Sequence, residues 1–296
     1  MPVTKTEHEI VWTWAGNTIR VGYDRSGAGP SILLLPALSS ISTRREMRPL
    51  QERLASQFTT TSVDWPGFGD WPKPPVDWRP DAYVAFLKYV VRDIAPKPFA
   101  TIAAGHAACY VLAQGAAVPG STGRLCLIAP TWRGPLPTMM GRRHTAFRQI
   151  VRSFDHQVVG PLLYTLNVNR FVIRAMARGH VYSDPNWLTA SRLAEKLAVT
   201  RAPGARHASV RFVAGELDLV RSRAEFLALA GRIADTILVV FAEGTPPRSK
   251  AEMEALASLP NVRLSRIVSG KLAVHEECPD DVANAITPFL RSDRLE

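Results

Sequence analysis

The stretch TIAAGHAACYVL (residues 101–112) passes from an apolar run through small residues into a helical pattern. Residues 99–104 (FATIAA) predict a buried strand, and a helix of small residues is expected to begin at Ala107. A buried strand followed by a helix is the unit from which parallel sheets are built. The stretch therefore predicts an α/β protein, with Ala107 at the centre of the connecting turn.

Strand and helix patterns alternate through the first 130 residues. EIVWTW (9–14) and TIRVGYD (18–24) alternate apolar and polar residues around Ala15-Gly16-Asn17, which predicts a hairpin. Apolar runs predict buried strands, and apolar residues at helical spacing predict helices. The buried strands are at 31–38, 99–104 and 123–130, a further strand is expected at 58–65, and the helices are at about 43–56 and 81–94.

A long helical segment interrupts the alternation at residues 133–206. Alternation resumes with SVRFVAG (209–215), which we expect to be a strand. Alternating units on both sides of a helical segment predict a mostly parallel sheet flanked by helices. We expect a core at 1–132 and 207–296, and a helical cap at 133–206 over the carboxyl ends of the strands, where ligands bind in such sheets.

The positive charge is concentrated in the expected cap. The whole chain has a formal net charge of +10. Residues 133–207 contain 12 Lys and Arg against 3 Asp and Glu, so this segment alone contributes 12 − 3 = +9. A basic surface favours anionic partners such as an anionic membrane surface or an acidic ligand, although a solvated helical face gives the same pattern. Nucleic acid is an unlikely partner, because no recognition motif accompanies the charge.

Composition limits the class of protein further. The chain has 296 residues, of which 46% are hydrophobic, which suffices for a large core. It has no run of 18 apolar residues, and MPVTKTEHEIVW has no apolar leader, so we expect a cytoplasmic protein, peripheral at a membrane at most. Three widely spaced cysteines fit free thiols in a reducing compartment. No motif indicates a metal or an organic cofactor, so none is expected.

Three motifs occur in an informative order. Gly105-His106-Ala107-Ala108-Cys109 is similar to the G-x-S-x-G nucleophile elbow. Asp218 follows in VAGELDLV, and His275 follows in LAVHEECPDDVANAITPFL, before the last helical pattern. This order resembles the α/β-hydrolase fold superfamily over nearly the whole chain. The resemblance implies a small-molecule substrate, with Asp218 as the catalytic acid and His275 as the catalytic base.

The elbow departs from the family pattern at its centre. Ala107 stands where the serine would be, so the nucleophile position is vacant and no acyl-enzyme can form there. Pro36-Ala37 replaces the His-Gly of many relatives after the third strand. The resemblance still implies an oxyanion hole formed by the backbone N–H groups of Leu38 and Ala108, because main-chain donors do not depend on the side chain.

Other residues near these motifs have less specific roles. VDWPGFGDW, which contains Trp65, is similar to the family's loop after the fourth strand. His106, Trp65 and Trp132 could line a pocket, although tryptophans are more often part of a core. Glu276 and Glu277 are expected in solvent.

Three functional hypotheses remain open at this point. The first is an enzyme in which His275, oriented by Asp218, acts as a base without a covalent step, as in the lyases and cofactor-independent oxygenases of the superfamily. The second is a catalytically inactive binding protein on a hydrolase fold. The third is an ordinary serine esterase that carries a Ser→Ala change at position 107.

Overall fold

The computed structural model describes residues 6–292, and its strands form one mixed sheet. The described strands are β1 (Thr6–Trp14), β2 (Asn17–Ser26), β3 (Ser31–Leu35), β4 (Thr59–Val63), β5 (Ala100–Ala104), β6 (Arg124–Ile128), β7 (Ile237–Ala242) and β8 (Val262–Ile267). Their order across the sheet is β1-β2-β4-β3-β5-β6-β7-β8. Only β1–β2 and β2–β4 are antiparallel, and the remaining pairs are parallel. The predicted fold class is therefore confirmed.

Helices cover the sheet and fill the long connection between β6 and β7. The described helices are α1 (Arg48–Leu54), α2 (Pro80–Tyr89), α3 (Ala107–Ala117), α4 (Pro135–Met140), α5 (Ala146–Asp155), α6 (Val159–Asn167), α7 (Arg170–Met176), α8 (Ala190–Arg201), α9 (Ala205–Ala214), α10 (Arg223–Gly231), α11 (Pro247–Ala255), α12 (Val274–Glu277) and α13 (Pro279–Arg291). Within residues 6–292, no helix is long and apolar enough to cross a membrane.

The central strands are apolar because helices cover both faces of the sheet. Every residue of β5 and β7 is buried, as are all but the first residues of β3 and β6. Continuous burial requires the unbroken apolar runs from which these strands were predicted. The carboxyl ends of the parallel strands share one edge of the sheet, and the connecting segments at that edge carry the candidate site.

The predicted strand at 209–215 is wrong, because these residues belong to helix α9. Val210 and Phe212 alternate with the polar Ser209 and Arg211, which imitates a strand. The tertiary contacts instead have helical spacing: Ala208 and Arg211 are buried on one side, and Gly215, with φ +75°, ends the helix. The strand that follows β6 in the sheet is β7.

The expected boundary between cap and core at residue 206 falls inside α9. Buried side chains of α9 pack with the helices before it, in a cluster that contains Phe147, Val151, Tyr164, Ala205, Val210 and Ala214. Arg211 of α9 also donates hydrogen bonds to Asp155, the last residue of α5. Helix α9 is thus part of the packing of the helical insert, and the insert has its own small apolar core.

A buried arginine fixes the segment that follows β3. Arg44 opens a 3₁₀ turn (Arg44–Met47) and is fully buried. Its guanidinium contacts the carboxylates of Asp24 at 3.1 Å and Asp64 at 2.6 Å. A buried charge is stable only when it is paired and hydrogen-bonded. The cluster therefore holds this turn, and with it Glu46, at a fixed place beside the edge of the sheet.

Candidate active site

The turn between β5 and α3 has its strained residue at Gly105. Gly105 has a φ of +54°, and His106 is already helical with φ −70° and ψ −18°. In the described chain the non-glycine residues with positive φ are Ala15, Lys97 and Ala129, so Ala107 is not among them. Ala107 is the buried first residue of helix α3.

A nucleophile elbow presents its side chain from the strained apex of the turn, and that apex is Gly105 here. The positive φ typical of such an apex is found two residues before Ala107, the predicted vacant position. A Cβ atom on Gly105 would lie 3.1 Å from the Cβ of Ala37, in the segment after β3. The sequence fits the G-x-S-x-G pattern in two alignments, because both have small residues at their ends. Ala103–Ala107 places Gly105 at the nucleophile position, and Gly105–Cys109 places Ala107 there.

The predicted oxyanion-hole donors are engaged differently from the expectation. The N–H of Ala108 donates to the carbonyl of Gly105 at 3.3 Å, within the turn itself. Leu38 is fully buried. The N–H of Ala37, one residue earlier, donates to Oε1 of Glu46 at 2.7 Å. A protein carboxylate therefore occupies the donor that lies beside the apex of the turn.

His275 faces Glu46, which sequence analysis did not single out. His275 lies in α12, after the last strand, and is only 2% exposed. Its Nε2 is 3.4 Å from Oε1 of Glu46, which is also buried. Among the described residues, neither ring nitrogen of His275 has a well-aligned hydrogen-bond partner. A buried histidine with two unused nitrogens beside a carboxylate has the components of a general base.

The charge of Glu46 is stabilised by its neighbours. Burial raises the pKa of the Glu46 carboxyl, but the close approach and charge of His275, together with the charge of Lys196, outweigh it and leave the pKa lowered. Lys196 belongs to α8 and is itself buried. Glu46 is therefore held as an anion, the form that can orient an imidazole and stabilise its protonated state.

Asp218 contacts other groups than His275. It lies four residues beyond the end of α9 and is 1% exposed. Its Oδ1 accepts a hydrogen bond from the N–H of Gly134 at 2.8 Å and lies 3.4 Å from Nε2 of His106, while Arg143 donates to its Oδ2. The predicted hydrogen bond between Asp218 and His275 is not formed. Asp218 instead ties the start of the helical insert to the core.

The wrong prediction of a strand at 209–215 explains why Asp218 was expected to orient His275. Asp218 was placed at the carboxyl end of a strand, but it follows a helix. The strand next to β6 is β7, and the residue after it is Glu243. The Glu243 side chain is 44% exposed and forms ion pairs with Lys250 and Arg266. The loop after β7 thus directs its carboxylate to the surface, and Glu46 is the carboxylate beside His275.

The other predicted pocket residues are buried in packing contacts. Burial lowers the pKa of His106 despite the charge of Asp218, and its Nε2 is 3.3 Å from the Leu217 carbonyl. Trp65 is 1% exposed and donates from Nε1 to the carbonyl of Pro36 at 2.8 Å, so it supports the segment after β3. Trp132 donates from Nε1 to Glu252 at 3.0 Å.

The expectation that Glu276 and Glu277 lie in solvent is wrong for Glu276. Lys196 donates to both of its carboxylate oxygens, at 2.8 and 3.0 Å, and Tyr182 donates from its hydroxyl at 2.9 Å. Glu277 accepts hydrogen bonds from the N–H groups of Ser183 and Asp184. We call these contacts of Glu276 and Glu277 the cap latch. They join the insert to the residues that directly follow His275.

One arrangement at the latch has the spacing of a metal site. Glu46, His275 and Glu276 each offer one ligand atom, and these three atoms lie within 4.8 Å of one another. The Lys196 ammonium, which binds both oxygens of Glu276, already supplies a cation to this cluster. The Lys196 ammonium thus offsets one of the two negative charges of this cluster.

The fold and the position of His275 define a class. A mostly parallel sheet with two antiparallel pairs at its β1 edge, a helical insert after β6 and a histidine after the last strand are the arrangement of the α/β-hydrolase fold. The chain belongs to the alpha/beta hydrolase family, whose model matches residues 32–285. No curated protein sequence gave a match.

Solved structures agree with this fold over almost the whole chain. The 2-hydroxy-6-oxo-6-phenylhexa-2,4-dienoate hydrolase of Rhodococcus sp. strain RHA1 is 14% identical, with a TM-score of 0.74, covering 98% of this chain and 100% of that one. Cfl2 from Burkholderia cenocepacia is 20% identical, with a TM-score of 0.72, covering 96% of each chain. A thermophilic esterase from Thermogutta terrifontis is 19% identical, with a TM-score of 0.68, covering 97% of this chain and 98% of that one. These identities support the fold alone.

Proposed function

We propose that this protein is an enzyme in which His275 acts as a general base on a small, partly apolar substrate, without a covalent intermediate. The observation that carries the proposal is the 3.4 Å approach of the buried His275 ring to the buried Glu46 carboxylate. Both lie at the carboxyl edge of the sheet, where this fold binds ligands. Glu46 orients the His275 imidazole, a role that the order of the motifs in the sequence assigns to Asp218.

The chemistry requires only proton transfer by these two side chains. Neutral His275 removes a proton from the substrate, or from a water molecule whose oxygen attacks a carbonyl carbon. Glu46 stabilises the imidazolium that results, and the imidazolium then returns its proton to the leaving group as the bond to that group breaks. Such base catalysis contributes a factor of about 10²–10⁴ in rate, so it suits a substrate that is already reactive.

The turn after β5 supports a mechanism without an acyl-enzyme. Gly105 at the apex has no side chain, and Ala107 in the first turn of α3 has no atom that can attack a carbonyl. The third hypothesis, a serine esterase changed at position 107, is disfavoured because a side chain at 107 starts from a helical residue and not from the strained apex.

An inactive binding protein remains the alternative. Its support is the closure of the site, since Glu46, Ala107 and His275 are all at most 5% exposed. A ligand that leaves the purified protein chemically unchanged, together with absent turnover, would favour this alternative. The two unused nitrogens of His275 favour the enzyme, because packing alone does not require an unpaired buried polar group.

The test is hydrolysis of p-nitrophenyl acetate by the wild type and three variants. We expect His275→Ala to lower kcat/KM by about 10²–10⁴ and Glu46→Gln to lower it by a smaller factor. Glu243→Gln is the matched control, because Glu243 follows β7 but lies at the surface, and it should behave as the wild type. Unchanged turnover in a folded His275→Ala variant would contradict the proposal.

We also propose that the basic insert faces an anionic partner. The candidates are an anionic membrane surface and an acidic group on the ligand. Residues 142–178 contain seven arginines and one acidic residue, Asp155, whose carboxylate is bound by Arg211 and His207. Unneutralised charge of one sign raises the local concentration of molecules of the opposite sign.

A further inference from the structure

Helices α6 and α7 expose large apolar side chains to solvent. The exposed fractions are 78% for Val158, 46% for Val159, 62% for Leu162, 62% for Leu166 and 69% for Phe171. We call these five residues the apolar face. Single exposed apolar residues are common on proteins, but a contiguous group marks a surface that another apolar phase covers.

The spacing of these residues gives α6 two apolar sides. Val159, Leu162 and Leu166 are separated by three and four positions, so they share one face of the helix. The opposite side carries the buried Tyr164, whose hydroxyl donates to Ser209 of α9 at 3.3 Å. Contacts with the insert therefore use only one side of α6 and leave the apolar face outside.

Arginines lie on the helices that precede and follow α6 in the chain. Arg148 and Arg152 on α5, Arg170 and Arg174 on α7, and Arg178 just after α7 are exposed, and none of the five has a carboxylate within ion-pair distance among residues 6–292. The guanidinium of Arg170 lies 4.7 Å from the centre of the Phe171 ring, so charge and apolar surface are in direct contact. Apolar side chains flanked by arginines are typical of helices that lie in a membrane interface.

We infer that the apolar face docks on an anionic lipid bilayer, with its side chains in the acyl boundary and the arginines at the headgroups. This inference rests on the anionic partner proposed above and is independent of the chemistry at His275. The charge argues against a second copy of this chain as the occupant, because two such basic faces would repel one another. The apolar face argues against a soluble acidic ligand as the only partner, because such a ligand would leave the apolar side chains exposed.

The experiment is co-sedimentation with vesicles of phosphatidylcholine alone or mixed with phosphatidylglycerol. We expect binding to the mixed vesicles only, weakened about tenfold or more from low to high salt. Leu162→Ser/Leu166→Ser and Arg170→Gln/Arg174→Gln should each weaken it by about tenfold or more. The matched controls are Val268→Ser and Arg92→Gln. Both side chains lie on the surface outside the helical insert, and that of Val268 is 87% exposed. Thermal unfolding confirms that each variant is folded.

Four outcomes would overturn the inference. Equal binding to both kinds of vesicle would exclude the role of the arginines, and full binding by Leu162→Ser/Leu166→Ser would exclude the role of the apolar face. A wild-type dimer that this double variant converts to a monomer would assign the face to a second copy. Binding of monomeric dihexanoyl phosphatidylglycerol without vesicle binding would leave only the acidic-ligand proposal. Ester turnover is measured separately, so failure of docking does not affect the proposal for His275.

Discussion

Two buried pairs of histidine and carboxylate occur among residues 6–292, and they differ in the hydrogen bonding of the histidine ring. His275 lies 3.4 Å from Glu46, and His106 lies 3.4 Å from Asp218. His106 also contacts the Leu217 carbonyl through the same nitrogen, so only its Nδ1 lacks a partner among the described residues. His275 has no aligned partner at either nitrogen among the described residues.

The net pKa shifts of the two carboxylates have opposite signs, although burial acts on both in the same direction. Burial raises the pKa of Asp218, and the opposing effects of His106 and Arg143 do not cancel it. Burial acts in the same direction on Glu46, but His275 and Lys196 outweigh it and the pKa is lowered. A histidine near a carboxylate is thus a weak indicator of catalysis by itself. Unused ring nitrogens and a carboxylate held as an anion are the stronger indicators.

The largest expected effect is on stability, at the Asp218 pair. Asp218→Ala leaves Arg143 and the N–H of Gly134 without their acceptor, so we expect a loss of about 2–3 kcal/mol in the free energy of unfolding. This is below the usual cost of breaking a buried pair because Arg143 is 27% exposed. Urea unfolding measures the change, with the exposed Asp235→Ala as control. A loss as small as that of the control would contradict a structural role.

The pH dependence of stability should have opposite sign at the two pairs. Glu46 has a lowered pKa, so its stabilising contribution is present above the ordinary value of 4.5 and is lost as pH falls through the lowered pKa. Asp218 has a raised pKa, so its contribution is present below 3.8 and is lost as pH rises through the raised pKa.

Urea unfolding of the wild type, Glu46→Gln and Asp218→Asn at acidic to neutral pH measures this difference. The stability advantage of the wild type over Glu46→Gln should grow with rising pH, and its advantage over Asp218→Asn should shrink. The same direction of change in both comparisons would show that the two pairs are electrostatically alike.

A smaller effect is expected on the pH profile of turnover. Lys196→Gln removes a charge that helps to lower the pKa of Glu46, so the acidic limb of kcat/KM for p-nitrophenyl acetate should move to higher pH. Lys88→Gln, at an exposed lysine of α2, is the control. If the limb stays in place in both variants, Lys196 serves only the cap latch.

The smallest expected effect is at the turn after β5. Ala107→Ser should give no gain in hydrolysis of p-nitrophenyl esters, because the new hydroxyl starts from a helical residue. Gly105→Ser places the hydroxyl at the apex and tests whether position 105 is the nucleophile position. The strained backbone should lower the free energy of unfolding of this variant by about 1–3 kcal/mol. A large gain for Ala107→Ser would restore Ala107 as the vacant nucleophile position.

Sequence pattern predicted most of the sheet because burial on both faces leaves a local trace. Runs such as that of β3 are apolar throughout, and no surface strand or loop requires this. Helix α9 was mistaken for a strand because Val210 and Phe212 alternate with polar residues. Contacts with distant residues, such as that between Arg211 and Asp155, favour the helix over the strand.

The site was less predictable because its parts come from distant segments. His275 could be found from the motif before the last helix. Glu46 could not, because it lies among Arg44, Arg45 and Met47 in a stretch that resembles an exposed helix. Only the buried pairing of Arg44 turns Glu46 inward. Which residue lies at the apex of the turn after β5 depends on a backbone dihedral angle. The sequence does not determine this angle, because small residues surround Gly105 and Ala107 alike.

The cap latch joins the helical insert to the segment that carries the proposed base. Glu276 and Glu277 hold the insert, and the residue before them is His275. A motion that lifts the insert from this segment would break these hydrogen bonds and would also free the backbone that carries the imidazole. Turnover of a reactive substrate would then be governed by the frequency of opening. Its rate would vary with solvent viscosity and hardly at all with the leaving group.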